Sequence, residues 1–442
     1  MLKVSPNQHF LMTDDGKPFF WLGDTAWELF HRLTLAEAEH YLENRRRLSF
    51  NVIQAVVLAE MDGLHTPNAN GDLPLIDDDP ARPNEAYFRH VDAIIDLAAQ
   101  KGLYIALLPT WGDKVFRLWG AGPQVFTVEN ALIYGKWIGA RYADRPNIIW
   151  VNGGDRPETR NGVDYALAIW RSMAQGMRES IGADALMTYH PMGGASSSAH
   201  FHAERWLDVN MWQSGHSMTD TPVWDMIASD YARQPVKPVL DGEPNYEDHA
   251  INPFTRRWSP EMGCFTDYDV RKQAYRAVFA GACGHTYGHH SVWQFYTPQR
   301  TPVNFPQNHW QQAIERPGAA QMKHLPALLQ SRPYFERIPD QSLIASPNGN
   351  GASHMQATRA ADGSYAFVYI PQANQPFTVN TTSLTGDALA AWWFDPRSGT
   401  AQALGTLKRQ PQVSFTTPDS GPDWVLVLDD AARGYGLPGA FR

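Results

Sequence analysis

Cysteine is nearly missing from this chain: Cys264 and Cys283 are the two among 442 residues. Two thiols supply neither a disulfide framework nor a zinc-ligand spacing. Also lacking is any apolar run long enough to span a bilayer, so no membrane partner is expected. The amino terminus, Met1-Leu-Lys-Val-Ser-Pro-Asn7, has no apolar core of a signal peptide. Localisation stays open between the cytoplasm and a processed periplasmic or secreted form. Positive charge is scarce as well. The formal net charge is -9, and the one basic cluster, Arg45-Arg46-Arg47, reads as a solvated helix end. Nucleic acid is therefore not an expected partner. No GxGxxG or GxxxxGK[ST] opens a helix, which removes the main support for a nucleotide cofactor. The serine run Ser196-Ser-Ser198 has no nucleophile-elbow pattern and reads as a flexible loop.

What is present is apolar and aromatic. Hydrophobic residues make up 43% and charged residues 19%, a balance that supports a sizeable core and argues against disorder. The length fits a large domain followed by a smaller one. Sixteen Trp and seventeen Tyr exceed the needs of a core, and such amphipathic rings suit the half-wet walls of a binding cleft.

Taken in order, the chain alternates strands with helices. His9 to Gly23 reads as two strands joined at Asp15-Gly16, the second running into Asp24. Thr34 and Glu37 form a capping box at the head of an amphipathic helix. Further strands are expected at Asn51–Leu58, Leu103–Pro109, Asn147–Val151, Ala185–Tyr189, Leu207–Trp212, Pro238–Gly242 and Gly284–Gly288, most of them separated by helical patterns. Eight strands in this rhythm predict a (β/α)8 TIM barrel, an α/β fold, over residues 1–335. From 336 to 442 short strands spaced by turns predict a small all-β sandwich.

In such a barrel the carboxyl ends of the strands face one pocket. Strand 4 ends in Asn152-Gly153-Gly154-Asp155 and strand 7 in Asp241-Gly242-Glu243. Two carboxylates facing each other there are what glycoside cleavage requires: one protonates the leaving oxygen while the other attacks the anomeric carbon or activates water. Other strand ends supply candidate walls. Strand 1 brings Asp24 and Trp27, strand 2 Gln54 with Glu60 and Asp62 beyond, and strand 3 Trp111 and Asp113. Strand 5 brings His190, strand 6 Trp212, Gln213 and His216, and strand 8 His285, Tyr287 and His289 with Trp293 beyond. Polar groups mixed with indoles suit a hydroxyl-rich ligand. The cluster His285, His289, His290 raises a metal. However, the His-x-His usual after strand 1 of metal-dependent barrel hydrolases is replaced by Gly23-Asp-Thr-Ala-Trp27, and no carboxylate completes a set. No metal or other cofactor is expected.

With these residues assembled, the chain resembles glycoside hydrolase family 140, the apiosidase-like barrels. The resemblance rests on Phe20-Trp-Leu-Gly-Asp-Thr-Ala-Trp27, Trp150-Val-Asn-Gly-Gly-Asp155 and Asp241-Gly-Glu-Pro-Asn-Tyr-Glu247. Ala391-Trp-Trp-Phe-Asp-Pro-Arg-Ser-Gly399 looks like the small β-domain that accompanies them. That domain carries a collagen-binding label in the family, and collagen binding is not read from it here. The resemblance implies a retaining mechanism with Asp155 as acid/base and Glu243 as nucleophile, Asn152 holding a sugar hydroxyl, and β-linked D-apiose released from pectic side chains or plant apiosides. Two alternatives stay open: the same barrel acting on another glycoside, such as an arabinofuranoside or galactoside, or a carbohydrate-binding barrel without catalysis.

Overall fold

The computed structural model describes residues 1–251 and 260–440. Eight parallel strands form the barrel: β1 (Trp21–Thr25), β2 (Val52–Leu58), β3 (Tyr104–Thr110), β4 (Ile148–Gly153), β5 (Met187–His190), β6 (Asn210–Gln213), β7 (Val239–Asp241) and β8 (Gly284–Tyr287). Each pairs with the next except β5 with β6, and β8 pairs back onto β1, with Tyr287 opposite Asp24. Between β5 and β6 two hydrogen bonds bridge the gap in place of a ladder. The Asp208 amide donates to the Met187 carbonyl at 2.8 Å, and Thr188 Oγ1 donates to the Val209 carbonyl at 2.8 Å. A two-residue strand, Ala195–Ser196, pairs antiparallel with β6 beside this gap. The serine loop is not loose. Asp230 accepts from Ser196 Oγ at 2.5 Å and from Ser198 Oγ at 2.6 Å, and all three residues are buried.

The hairpin at Asp15-Gly16 forms, but the chain divides at Phe20. Pro18–Phe19 closes a three-stranded antiparallel sheet with Leu2–Val4 and Leu11–Thr13, and the barrel begins only at Trp21. The helices around the barrel are α1 (Leu35–Arg47), α2 (Glu85–Gln100), α3 (Val128–Tyr142), α4 (Leu167–Ile181), α5 (Val223–Tyr231) and α6 (Asp267–Phe279). The Thr34/Glu37 capping box opens α1; Thr127/Asn130 and Thr266/Asp269 open α3 and α6 in the same way. No helix among the described residues is long and apolar enough to cross a membrane.

The basic triplet at the end of α1 departs from its expected role. Arg46 and Arg47 are exposed, but Arg45 is wholly buried and pairs with Asp24 on β1 at 2.6 Å. Asp24 also accepts from the Tyr41 hydroxyl, and the Arg45 guanidinium donates to the Ile314 carbonyl at 3.1 Å. Asp24 is therefore spent inside the barrel wall and is not a cleft residue.

Residues 337–430 form the all-β domain. Its strands are β9 (Arg337–Pro339), β10 (Gln356–Ala360), β11 (Tyr365–Ile370), β12 (Pro376–Asn380), β13 (Ala388–Phe394), β14 (Ala401–Lys408), β15 (Gln412–Thr416) and β16 (Trp424–Asp430). Six of them make an antiparallel sheet in the order β9-β10-β11-β16-β13-β14, and β12 and β15 form a ribbon over it. Strand β11 is buried on both faces, and its period-two alternation divides it. Ala366, Val368 and Ile370 join the domain's own core with Phe377 and Trp393. Tyr365, Phe367 and Tyr369 join the barrel's core, with Tyr369 stacked on Tyr275 of α6 at 5.2 Å. Helix α6 thus lies between barrel and sheet, and residues Asp269 to Phe279 are all buried. Arg271 of α6 forks onto Asp423 at 2.7 and 2.9 Å, the bidentate geometry that gives guanidinium–carboxylate pairs their strength.

Removing one partner of a buried pair strands the other charge, at a cost of about 3–5 kcal/mol, whereas an exposed arginine contributes under about 1 kcal/mol. Arg45→Leu should therefore lower the urea midpoint sharply, and Arg46→Leu should leave it close to the parent. Equal midpoints for the two variants would show that the Arg45–Asp24 pair is not needed by the barrel.

Candidate active site

The turn after β4 is set by sterics. Gly153 (φ +89°), Gly154 (φ +146°) and Asp155 (φ +47°) all lie at positive φ. A Cβ on Gly153 would stand 2.3 Å from the His190 carbonyl oxygen, and one on Gly154 would stand 2.7 Å from the Gly112 amide. Only glycine fits both positions. The turn is stitched on both sides: the Gly154 amide donates to the His190 carbonyl, and the Gly112 amide to the Gly154 carbonyl, each at 3.0 Å. Asp155 is thereby held over the barrel mouth.

Across the mouth, β7 ends in Asp241-Gly242-Glu243. Gly242 packs against Met211, where a Cβ would come within 2.5 Å of the sulfur, and its carbonyl accepts from Gln54 Nε2 at 2.9 Å. Asp241 is wholly buried and accepts from the Ser214 amide at 3.1 Å and the Ser214 hydroxyl at 2.5 Å. Burial pushes its carboxyl up to about 7. The Ser214 anchor fixes the loop that carries His216, and His216 Nε2 donates to Glu243 Oε1 at 3.0 Å. His190 Nε2 lies 3.1 Å from Glu243 Oε2, close enough to pair though out of line for a hydrogen bond.

The two carboxyls share one cleft of about 670 Å³. All eight barrel loops reach it: Trp27, Glu60, Trp111 and Asp155 from the first four, Met192, Gln213, Glu243 and Trp293 from the others. Their acidities are pushed apart. Burial and the neighbouring Glu243 charge raise Asp155 to about 7, against a smaller opposing pull from Arg156. Burial also acts to raise Glu243, but the His190 and His216 imidazoles outweigh it and hold its carboxyl well below the usual range. One carboxyl thus holds its proton through mildly acidic pH while the other is ionised, the division that lets one act as acid and the other as nucleophile or base.

Of the residues expected here, Trp27, Trp111, Gln213, His216 and Trp293 line the cleft, and His190 backs Glu243. The others are placed elsewhere. Asn152 turns from the mouth and donates to the Trp170 carbonyl of α4 at 2.9 Å, because alternation along β4 sends it outward. Trp212 likewise points opposite to Gln213 along β6. Gln54 is committed to the Gly242 carbonyl, and Asp241 to Ser214. Tyr287 donates to Glu247 at 2.6 Å, and His289 meets Asp248 at 3.1 Å. His285 is wholly buried in the barrel, and burial pushes its imidazole down to about 3. His290 Nε2 donates to the Asn304 carbonyl at 2.9 Å, so His289 and His290 serve separate partners. Among the described residues no group of three or more His, Cys, Asp or Glu side chains is gathered for a metal ion. Asp113 is buried against Lys114 at 2.9 Å.

Several cleft residues had not been expected. Arg156 follows Asp155 directly and is buried; it reaches the Asp155 carboxyl at 3.2 Å and Glu60 at 2.8 Å. Trp119 comes from the β3–α3 segment. Tyr246 and His249 follow Glu243 on its own loop, and His216 stacks on His249 at 4.2 Å. Gly288 makes room for Tyr246, since a Cβ there would lie 2.1 Å from its ring. Adjacency to Asp155 and Glu243 was the available signal for Arg156, Tyr246 and His249. Trp119 carried none beyond being tryptophan.

Comparison with known proteins agrees with this fold. Residues 5–336 match the family model described as "Apiosidase-like, catalytic domain", and residues 338–429 match "Putative collagen-binding domain of a collagenase". A search of curated proteins finds no match. Among solved structures, one described as "Glycoside hydrolase" is 34% identical with a TM-score of 0.89, each chain covering 98% of the other. A glycoside hydrolase family 5 protein from Bacteroides vulgatus ATCC 8482 is 32% identical with a TM-score of 0.90, over 100% of this chain and 96% of that one.

The opposed acidities are measurable directly. The Asp155 carboxyl, followed by carbon NMR, should titrate near pH 7, and in Glu243→Gln it should titrate lower because the repelling charge is gone. An unchanged midpoint would show that the two carboxyls do not sense each other.

Proposed function

Because this chain belongs to the apiosidase-like family of glycoside hydrolases, we propose that it is a retaining enzyme releasing β-linked D-apiose from plant apiosides or pectic side chains. The observation that carries the reading is the pair of carboxyls, half-buried Asp155 and buried Glu243, in one tryptophan-lined cleft with acidities pushed in opposite directions. The sugar is suggested by the family description.

In this mechanism Asp155 protonates the glycosidic oxygen as Glu243 attacks the anomeric carbon, and the leaving group departs with the proton. The product of this step is a glycosyl ester on Glu243. Asp155, now ionised, takes a proton from water, which attacks the same carbon and frees the sugar with its configuration retained. His216 and His190 hold the Glu243 carboxylate in place for attack. Arg156 faces Asp155 and balances its charge in the second half of the cycle.

Glu243→Ala should abolish turnover of aryl and natural glycosides while leaving the far-ultraviolet dichroism of the folded protein unchanged; retained turnover removes Glu243 from the nucleophile role. Apiin and apiose-bearing pectin fragments, assayed beside aryl arabinofuranosides and galactosides, identify the sugar. The first-formed anomer seen by proton NMR decides between retention and inversion.

The pH dependence follows from the two carboxyls. Asp155 must be protonated, so kcat/KM should fall as pH rises through about 7. Glu243 must be ionised, and its lowered pKa keeps it so through the mildly acidic range. Activity should therefore hold from mildly acidic pH up to about 6 and decline above 7. In Asp155→Asn that alkaline decline should vanish, and activated aryl glycosides should lose far less rate than unactivated ones. Persistence of the decline in Asp155→Asn assigns it to another group.

A further inference from the structure

The two ends of the cleft differ in character. Three of the cleft's indoles are nearly sealed: Trp27, Trp111 and Trp293 are 4%, 3% and 7% exposed, and Trp111 also packs against Gly154 of the turn that carries Asp155. Trp27 and Trp111 both pack on His190, at 5.3 and 5.6 Å between ring centres, and His190 faces Glu243. At the Asp155 end stands Trp119, which lines the same cleft but is 40% exposed. Its ring is backed on one face by the Arg156 guanidinium at 4.3 Å, within the range of a cation–π contact.

That guanidinium is a single clamp on four groups. It donates to the Trp119 carbonyl at 3.0 Å, the Asp155 carbonyl at 2.7 Å, the Asp155 carboxyl at 3.2 Å and Glu60 at 2.8 Å. Gly120, at φ +92°, lets the chain pass directly over it, since a Cβ there would meet Arg156 Nη2 at 2.6 Å. Trp119 is therefore tied to Asp155 through one buried side chain and has no comparable tie to Glu243.

General acid catalysis places the acid beside the leaving-group oxygen, and the nucleophile beneath the anomeric carbon of the other sugar. A ring anchored to the acid consequently lies on the leaving-group side. We propose that Trp119 is the leaving-group platform: its indole takes the flat face of a ring-shaped aglycone, a pyranose or an aryl group, while the sealed end encloses one terminal sugar. The enzyme then cuts from a chain end and leaves the remainder of the substrate to extend past Trp119 into solvent. This rests on Asp155 being the acid. It does not depend on the terminal sugar being apiose.

The test compares glycosides that share a glycone and differ in leaving group: methyl, 4-nitrophenyl and a glucopyranosyl unit. In the parent enzyme kcat/KM should favour the ring-bearing leaving groups beyond what their acidity explains. Trp119→Ala should cut that preference about tenfold, in keeping with the loss of one stacking contact, and Trp119→Phe should restore most of it. The alkaline limb of the pH profile should stay where it is in both variants. A uniform fall for all three leaving groups, or a displaced alkaline limb, overturns the proposal and makes Trp119 a prop for Arg156. If the parent prefers another glycone over apiose, the apiose reading fails, and the Trp119 contrast is measured on that glycone instead. If Asp155→Asn keeps full activity on the methyl glycoside, the acid assignment falls and the platform falls with it.

Discussion

Two carboxyls facing one cleft repel each other when both are ionised, and the more they are withdrawn from water the less their charge is spread. This constraint organises the mouth of the barrel. The protein answers it by giving each carboxyl a different kind of neighbour. Glu243 has two imidazoles, one of them held by a stack on His249 and by the Asp241–Ser214 anchor beneath its loop. Asp155 has the Glu243 charge on one side and a guanidinium on the other whose own charge is shared with Glu60. The difference in acidity therefore comes from placement, and placement comes from the barrel: the glycine turn after β4 and the short β7 point the two groups into the same space.

The scaffold must resist deformation for this to hold. The strands that carry Glu243 and the histidine cluster, β7 and β8, are linked by α6, which lies between the barrel and the all-β domain. The Arg271–Asp423 fork and the Tyr275–Tyr369 stack press that domain onto the helix. A small β-sheet far from the cleft thus covers the outside of the half-barrel that carries Glu243. The Arg45–Asp24 pair does similar work inside the wall, fixing α1 against β1.

Much of this was legible in the sequence. The alternation of elements gave the barrel because buried parallel strands are continuous apolar runs and capped amphipathic helices separate them. Asp155 and Glu243 stood out because a carboxylate just past such a run has one natural destination. What the sequence concealed was direction and partnership. Asn152 sits three residues before Asp155 yet faces α4, since alternation along a strand decides its side and one residue of register decides alternation. Asp24 looked like a cleft acid because its partner, Arg45, lies on the next helix inside a triplet that otherwise reads as surface. His285, Tyr287 and His289 share a strand end with the cleft, but their rings point into the barrel or toward Glu247 and Asp248. Trp119 lies in an irregular segment with no periodic pattern to orient it.

The placement of partners also bears on how charge moves in the proposed cycle. Before the first step the negative charge is on Glu243, beside His190 and His216. After it, Glu243 is a neutral ester and the charge is on Asp155, beside Arg156. The net charge of the cleft does not change; it migrates from one prepared site to another. Dipoles and cations already in position at both ends need no rearrangement as it moves, which is where preorganised electrostatics lowers a barrier most. The same arrangement explains why Arg156 is buried and held by four acceptors. A mobile cation could pair with Glu243 in the resting state and weaken its attack, whereas a guanidinium locked to the Trp119 and Asp155 carbonyls stays with Asp155 and Glu60. In the proposed polarity of the cleft, Trp119 marks the acid end because the Arg156 guanidinium anchors both it and Asp155.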